Sequence, residues 1–166
     1  MDWTATLPAF IFPALGGGLF GYDIGITSAA LVSITSSGEL GTLSPLQLGG
    51  IVSSSLAGAM AASATALAKG DDLGRRNELM LSAVLYGAGA TAMAAAASLP
   101  LLLAGRLLYG GGIGFAMHAA PIYIAETAPP QLRGTLISLK EGFIVGGELH
   151  PPLQAPAPLI QCLSRV

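Results

Sequence analysis

Asp23, Arg106 and His118 raise the first chemical question, because each is ionisable and each sits in an otherwise apolar run. An ionisable side chain inside a membrane-length segment costs about 2.5–3.5 kcal/mol on insertion scales, so it faces a polar interior and finds a partner. Asp23 lies about 16 Å from the far end of its run, and Arg106 about 9 Å from the corresponding end of its own, at about 1.5 Å rise per residue. A long arginine side chain covers that difference, so an Asp23–Arg106 pair is expected. The alternatives are that the pair serves function, that it is a purely structural ion pair, or that Arg106 snorkels outward. Arg106, Gly110, Gly114 and His118 recur every four residues and so share one helix face. A histidine there can carry proton traffic near neutral pH; the other reading is a hydrogen-bonded core histidine, since no carboxylate stands close to it in sequence.

A second group of charges is concentrated rather than isolated. Lys69, Arg75 and Arg76, three of seven Lys and Arg residues, share eight positions with Asp71 and Asp72. Charge that dense between two apolar runs marks where membrane ends and water begins. Glu126 and Arg133 fall at the same level, at the end of a later run. Such a cluster is either a clamp that opens and closes as helices move or a static solvated rim, since exposed salt bridges contribute only about 0–1 kcal/mol. Lys140 and Glu141 stand near the start of the last run. Adjacent helical residues point about 100° apart, so the two are not expected to pair, and one of them faces a polar cavity.

The elements that must hold these residues are helices. The chain is 52% hydrophobic with 23 glycines and a mean hydropathy of +0.69, and about 20 apolar residues cross a bilayer core of roughly 30 Å. Four spans are expected: Leu7–Ile34, Leu46–Ala68, Leu79–Ser98 and Leu101–Ile124. Pro13 and Gly16–Gly18 interrupt the first, as membrane helices tolerate. Gly17, Gly21 and Gly25, and again Gly50, Ser54, Gly58 and Ala62, form small-residue stripes that let another helix backbone approach. Ser44-Pro45-Leu46-Gln47 reads as a capped helix start, with proline at the first helical position and Gln47 closing a capping box. A fifth helix begins near Thr135 and loses its character after Glu148, where the prolines between Pro151 and Pro158 forbid continuation. Basic residues flank the loops after spans two and four and are missing from those after spans one and three, which puts the N-terminus and both basic loops on the cytoplasmic side.

Other readings are weaker. Gly16-Gly17-Gly18-Leu19-Phe20-Gly21, followed by Glu39, matches the spacing of a dinucleotide-binding fingerprint. However, Pro8 and Pro13 precede it and no strands alternate with helices after it, so a glycine-rich packing face is the better account. The net charge of −2 points to no nucleic-acid partner. The single cysteine, Cys162, excludes a disulfide framework and a cysteine-based metal site. No cofactor, metal or enzymatic reaction is expected. The first residues lack the basic region of a signal peptide.

Together the motifs resemble those of sugar porters of the major facilitator superfamily, specifically the plant D-xylose–proton symporter-like group. They are Gly21-Tyr22-Asp23, Asp71-x-x-Gly74-Arg75-Arg76, Gly105-Arg106 with Gly110-x-Gly112-x-Gly114, Pro121-x-Tyr123-x-x-Glu126, and Arg133-Gly134. They occur in the right order from Leu7 to about Val145. The resemblance implies an all-α polytopic transmembrane helical bundle, a partial major facilitator fold of four helices plus the start of a fifth over 7–148. Residues 149–166 are expected to be a divergent, disordered proline-rich tail, since they resemble nothing in the family.

It also implies roles. Asp23 is the proton-accepting carboxylate and Arg106 its partner. Asp71, Gly74, Arg75, Arg76, Glu126 and Arg133 form a cytoplasmic charge network that stabilises the outward-facing state. Glu141 stands where many members have a sugar-contacting glutamine, and Leu67 where many have a glycine. The implied activity is proton-coupled transport of a monosaccharide across a lipid bilayer by alternating access, in the plasma, vacuolar or plastid membrane. Family members have twelve helices in two halves, so the printed length reads as a truncated gene model or a frame change. The alternative is a short, non-transporting or regulatory form that associates with a full-length transporter through its glycine-rich faces.

Overall fold

The computed structural model describes residues 3–37, 44–96 and 98–154, with side chains over 10–29, 44–70, 72–96 and 98–149. Glu39, Cys162 and the tail beyond Gln154 lie outside the described residues. The described chain is five helices: α1 (Trp3–Ser37), α2 (Pro45–Leu73), α3 (Arg75–Ala94), α4 (Leu99–Thr127) and α5 (Arg133–Gln154). Short connections force consecutive helices to run antiparallel. The start of α1, the end of α2, the start of α3, the end of α4 and the start of α5 therefore share one face of the bundle. A cluster of Phe10, Ala14, Ile124, Ala128 and Leu136 closes that face.

Local sequence explains most boundaries. The Ser44 main-chain N–H donates to Gln47 Oε1 at 2.9 Å, and Ser44 Oγ accepts from the Leu46 N–H at 3.3 Å. This is the reciprocal cap expected of that tetrapeptide, with Pro45 opening α2. Gly74 ends α2 and begins α3 with φ 76° and ψ 143°, a region that only glycine enters without strain. Its N–H bonds to the Gly70 carbonyl at 3.0 Å. Pro100 lies in the first turn of α4, where its missing N–H costs nothing.

Two expectations about the elements change. The fifth helix does not stop after Glu148: α5 is 22 residues long and continues through Pro151 and Pro152 to Gln154. Proline's fixed φ is close to the helical value, so the last turn of α5 stays helical through Pro151 and Pro152, although two N–H bonds are lost and their rings crowd the carbonyls one turn back. The third helix ends at Ala94 rather than Ser98, with turn bonds from Ala95 to Thr91 and from Ala96 to Met93. Among the described residues, three stretches are long and apolar enough to cross a membrane: Phe10–Ala29, Pro45–Gly70 and Leu99–Thr127. Neither α3 nor α5 joins them. The first opens on Arg75-Arg76-Asn77-Glu78, and the second carries Lys140, Glu141 and Glu148.

α4 is the hub, packed against α2 on one side, α3 on another and α1 on a third, while α5 packs on α1. Small residues set these contacts. A Cβ on Gly110 would fall on the Ser55 carbonyl of α2, and one on Gly21 would fall on the Ile144 carbonyl of α5. The α2 stripe is shifted from the one the spacing implies. Gly50 meets nothing within 4 Å, whereas Ile51, Ser55, Ala62 and Ala66 are buried and Gly58 abuts Leu107. A strict four-residue repeat drifts around a helix of 3.6 residues per turn, so the packed line follows mixed steps of three and four. Leu67 is 79% exposed and takes no part in packing within the chain.

Candidate functional site

The two intramembrane charges both lie in the interior, on α1 and α4. Asp23 and Arg106 are both buried, at 7% and 8% exposure. Arg106 Nη2 donates to Thr27 Oγ1 at 2.8 Å and Nη1 donates to the Ile51 carbonyl at 3.3 Å. Arg106 thus ties α4 to both α1 and α2 and does not snorkel outward. Among the described residues no ion pair within 4 Å joins it to Asp23, although the two charges are near enough to act on each other through space.

Two tyrosines complete the wall. Tyr86 of α3 and Tyr109 of α4 meet edge to face, with centroids 4.8 Å apart and planes at 77°. Each anchors its hydroxyl on an α1 carbonyl: Tyr86 on Gly16 at 3.5 Å and Tyr109 on Leu19 at 3.2 Å. A buried hydroxyl without a partner would cost free energy, and these two are satisfied. They pin the stretch of α1 that leads to Asp23. Thr27, Tyr86 and Tyr109 were not singled out by sequence. Thr27 stands one turn beyond Asp23 and Tyr109 one turn beyond Arg106, so helical spacing alone could have put them beside the charges.

At the other face, the described charges centre on Arg75 and Glu126. Arg75 Nε lies 3.5 Å from Glu126 Oε1, joining α3 to α4. Arg133 Nε donates to the Ala128 carbonyl at 3.1 Å, bracing the α4–α5 turn; among the described residues neither it nor Arg76 forms an ion pair. The Asp71 side chain lies outside the described residues. Deeper on the same face, Glu78 is fully buried and its Oε1 is 2.7 Å from His118 Nδ1. His118 therefore does have a carboxylate partner, 40 residues away in sequence. Glu78 escaped notice because it falls between the charged loop and the apolar run that follows it.

Lys140 and Glu141 correct a second expectation. Lys140 Nζ lies 2.8 Å from Glu141 Oε1, so the neighbours do pair: two long flexible side chains bridge the 100° between their Cβ directions. Lys140 is the buried member at 2% exposure, with its stem against Gly17 of α1, while the Glu141 side chain is 57% exposed. Beside them an open groove of about 650 Å³ runs between α1 and α5, lined by Leu15, Leu19, Leu139 and Phe143 among others. It is apolar and offers little to hydroxyl groups. Among the described residues no cluster could hold a metal ion.

A buried charge pair at mid-bundle and an ion-paired rim at one face are held here by glycine-packed helices. The model of the sugar (and other) transporter family matches residues 9–150. The chain belongs to the sugar transporter family. It is 57% identical over 152 residues to the chloroplastic D-xylose-proton symporter-like 3 of Arabidopsis thaliana, a match covering 89% of this chain and 27% of that protein. It is 43% identical over 147 residues to the human proton myo-inositol cotransporter, covering 85% of this chain and 22% of the relative. Among solved structures, one of the major facilitator proton:xylose symporter XylE, bound to 6-bromo-6-deoxy-D-glucose, superposes with a TM-score of 0.81 at 26% identity. That match covers 99% of this chain and 41% of that one. The chain thus spans well under half the length of these relatives. It is an integral membrane, multi-pass chain with a partial major facilitator fold, helical in all five elements of the described residues, and its relatives are transporters rather than enzymes.

Proposed function

We propose that this chain is the N-terminal part of a transporter that moves a monosaccharide together with a proton across a membrane by alternating access. The observation carrying the proposal is the arrangement around Asp23. Arg106 spends two of its N–H groups on Thr27 and Ile51, and among the described residues no direct ion pair caps the buried carboxylate. A carboxylate bound in a bidentate salt bridge is held in its charged form and takes up a proton only at low pH. One that merely feels a nearby guanidinium can take up and release a proton while the guanidinium stays fixed. In this reading Asp23 carries the proton and Arg106 sets the field around it.

The remaining site residues take supporting roles. Glu141, exposed and oriented by Lys140, accepts hydrogen bonds from sugar hydroxyls where other porters use glutamine. Arg75 and Glu126, with Asp71, Gly74, Arg76 and Arg133 around them, hold the cytoplasmic face closed in the outward-facing state. The Asp23→Asn variant of the full-length transporter tests the central claim. Proton-driven accumulation should be lost while sugar exchange down its gradient persists; unchanged accumulation would remove the proton role from Asp23.

A further inference from the structure

The mechanism above leaves one buried ionic pair unused. Glu78 is 0% exposed in the first turn of α3, and its Oε1 lies 2.7 Å from His118 Nδ1 of α4. Its second oxygen, Oε2, is also buried and has no hydrogen-bond partner among the described residues. Arg75 precedes Glu78 by three residues and Glu126 follows His118 by eight, spacings that return to one side of a helix. Two rungs of opposite polarity therefore join α3 to α4: Arg75–Glu126 at 3.5 Å and Glu78–His118 at 2.7 Å. Gly70 of α2 closes over the inner rung. A Cβ added there would sit 3.1 Å from His118 Cε1 and 3.5 Å from both Glu78 Oε2 and an Arg75 guanidinium nitrogen.

The rungs differ in strength. Glu126 is 54% exposed, and exposed ion pairs hold geometry poorly. In the inner rung the carboxylate is fully buried while the His118 side chain is 18% exposed, and a buried carboxylate must be matched by positive charge or carry its own proton. We propose that Glu78 and His118 are positioning residues that keep Arg75 in register with Glu126, and that a proton on His118 locks them. Histidine is the side chain whose ordinary charge change falls in the physiological range. With imidazolium present the pair is neutral overall; without it the buried carboxylate loses the cation in direct contact with it, and the α3–α4 contact loosens. The charged groups around the pair are Arg75 from α3 and Glu126 from α4. From α2 come the Gly70 main chain and the flanking exposed Lys69 and Asp72. The proposal rests on reading the Arg75–Glu126 contact as a conformational clamp.

Hydrogen exchange of the amides of residues 76–82, measured on the full chain in lipid nanodiscs from about pH 5 to pH 8, tests it without any transport assay. After correction for intrinsic rates, protection in the wild type should fall on the order of tenfold as pH rises. His118→Gln should be weakly protected and flat with pH. The swap Glu78→His with His118→Glu should restore both protection and its pH dependence. Wild-type protection that does not vary with pH, or that His118→Gln leaves unchanged, overturns the proposal. Lost proton coupling in Asp23→Asn with this pH-dependent protection intact would leave the latch standing, so the two readings fail separately.

Discussion

Replacing Arg106 with methionine isolates what the intramembrane charges contribute to the fold. The variant keeps an unbranched apolar stem, shorter by the guanidinium group, and loses donors 2.8 Å from Thr27 Oγ1 and 3.3 Å from the Ile51 carbonyl. Hydrogen bonds from charged groups contribute about 1.5–3 kcal/mol each. The Ile51 carbonyl retains its own helical partner, so most of the loss falls on Thr27 and on Asp23, which stays buried without a neighbouring cation. Removing one member of a buried charge pair costs about 3–5 kcal/mol. Asp23 and Arg106 are not in direct contact, so a destabilisation of about 2–3 kcal/mol is expected, just below that range. Asp23→Asn combined with Arg106→Met removes the unbalanced charge, and the double variant should be less destabilised than the sum of the single variants by about 1–2 kcal/mol. Equilibrium unfolding in lipid–detergent micelles, followed by helical circular dichroism, measures all four proteins. A cost for Arg106→Met below about 0.5 kcal/mol, or strictly additive single variants, would refute the claim that the two charges are coupled across the α1–α4 contact.

Two further outcomes test the backbone. Gly110→Leu places side-chain atoms where the Ser55 carbonyl already sits and should destabilise by about 1–3 kcal/mol or more, whereas Gly50→Leu, with open space around it, should stay within about 0.5 kcal/mol of wild type; thermal unfolding of both decides. Gly74→Ala forces a side chain onto φ 76° and ψ 143° and should cost about 1–3 kcal/mol, read as a lower unfolding midpoint and faster proteolysis at Arg75-Arg76.

Much of this architecture was legible along the chain because a bilayer constrains local sequence strongly. Apolar length, the Ser44 cap, the charged turn at Gly74 and the isolated ionisable residues all follow from the need to satisfy backbone and charge where water is missing. Those same signals singled out Asp23, Arg106 and the Arg75–Glu126 rim. The motif order pointed to the sugar porters.

Tertiary structure decided what each charge touches. Sequence spacing matched Asp23 to Arg106 by depth alone, yet the guanidinium spends its bonds on Thr27 and Ile51, because α2 and α4 lie backbone to backbone and bring the Ile51 carbonyl within reach. It left His118 without a carboxylate, yet Glu78 is its partner, because antiparallel packing sets the first turn of α3 beside α4. It kept Lys140 and Glu141 apart by their Cβ directions, whereas long side chains bend to meet. Helical periodicity fixes which way a residue leaves its own helix. Which atom waits at the end of a flexible side chain depends on how neighbouring helices are translated and rotated, and small-residue contacts at Gly21, Gly58 and Gly110 set that register only once the helices have packed.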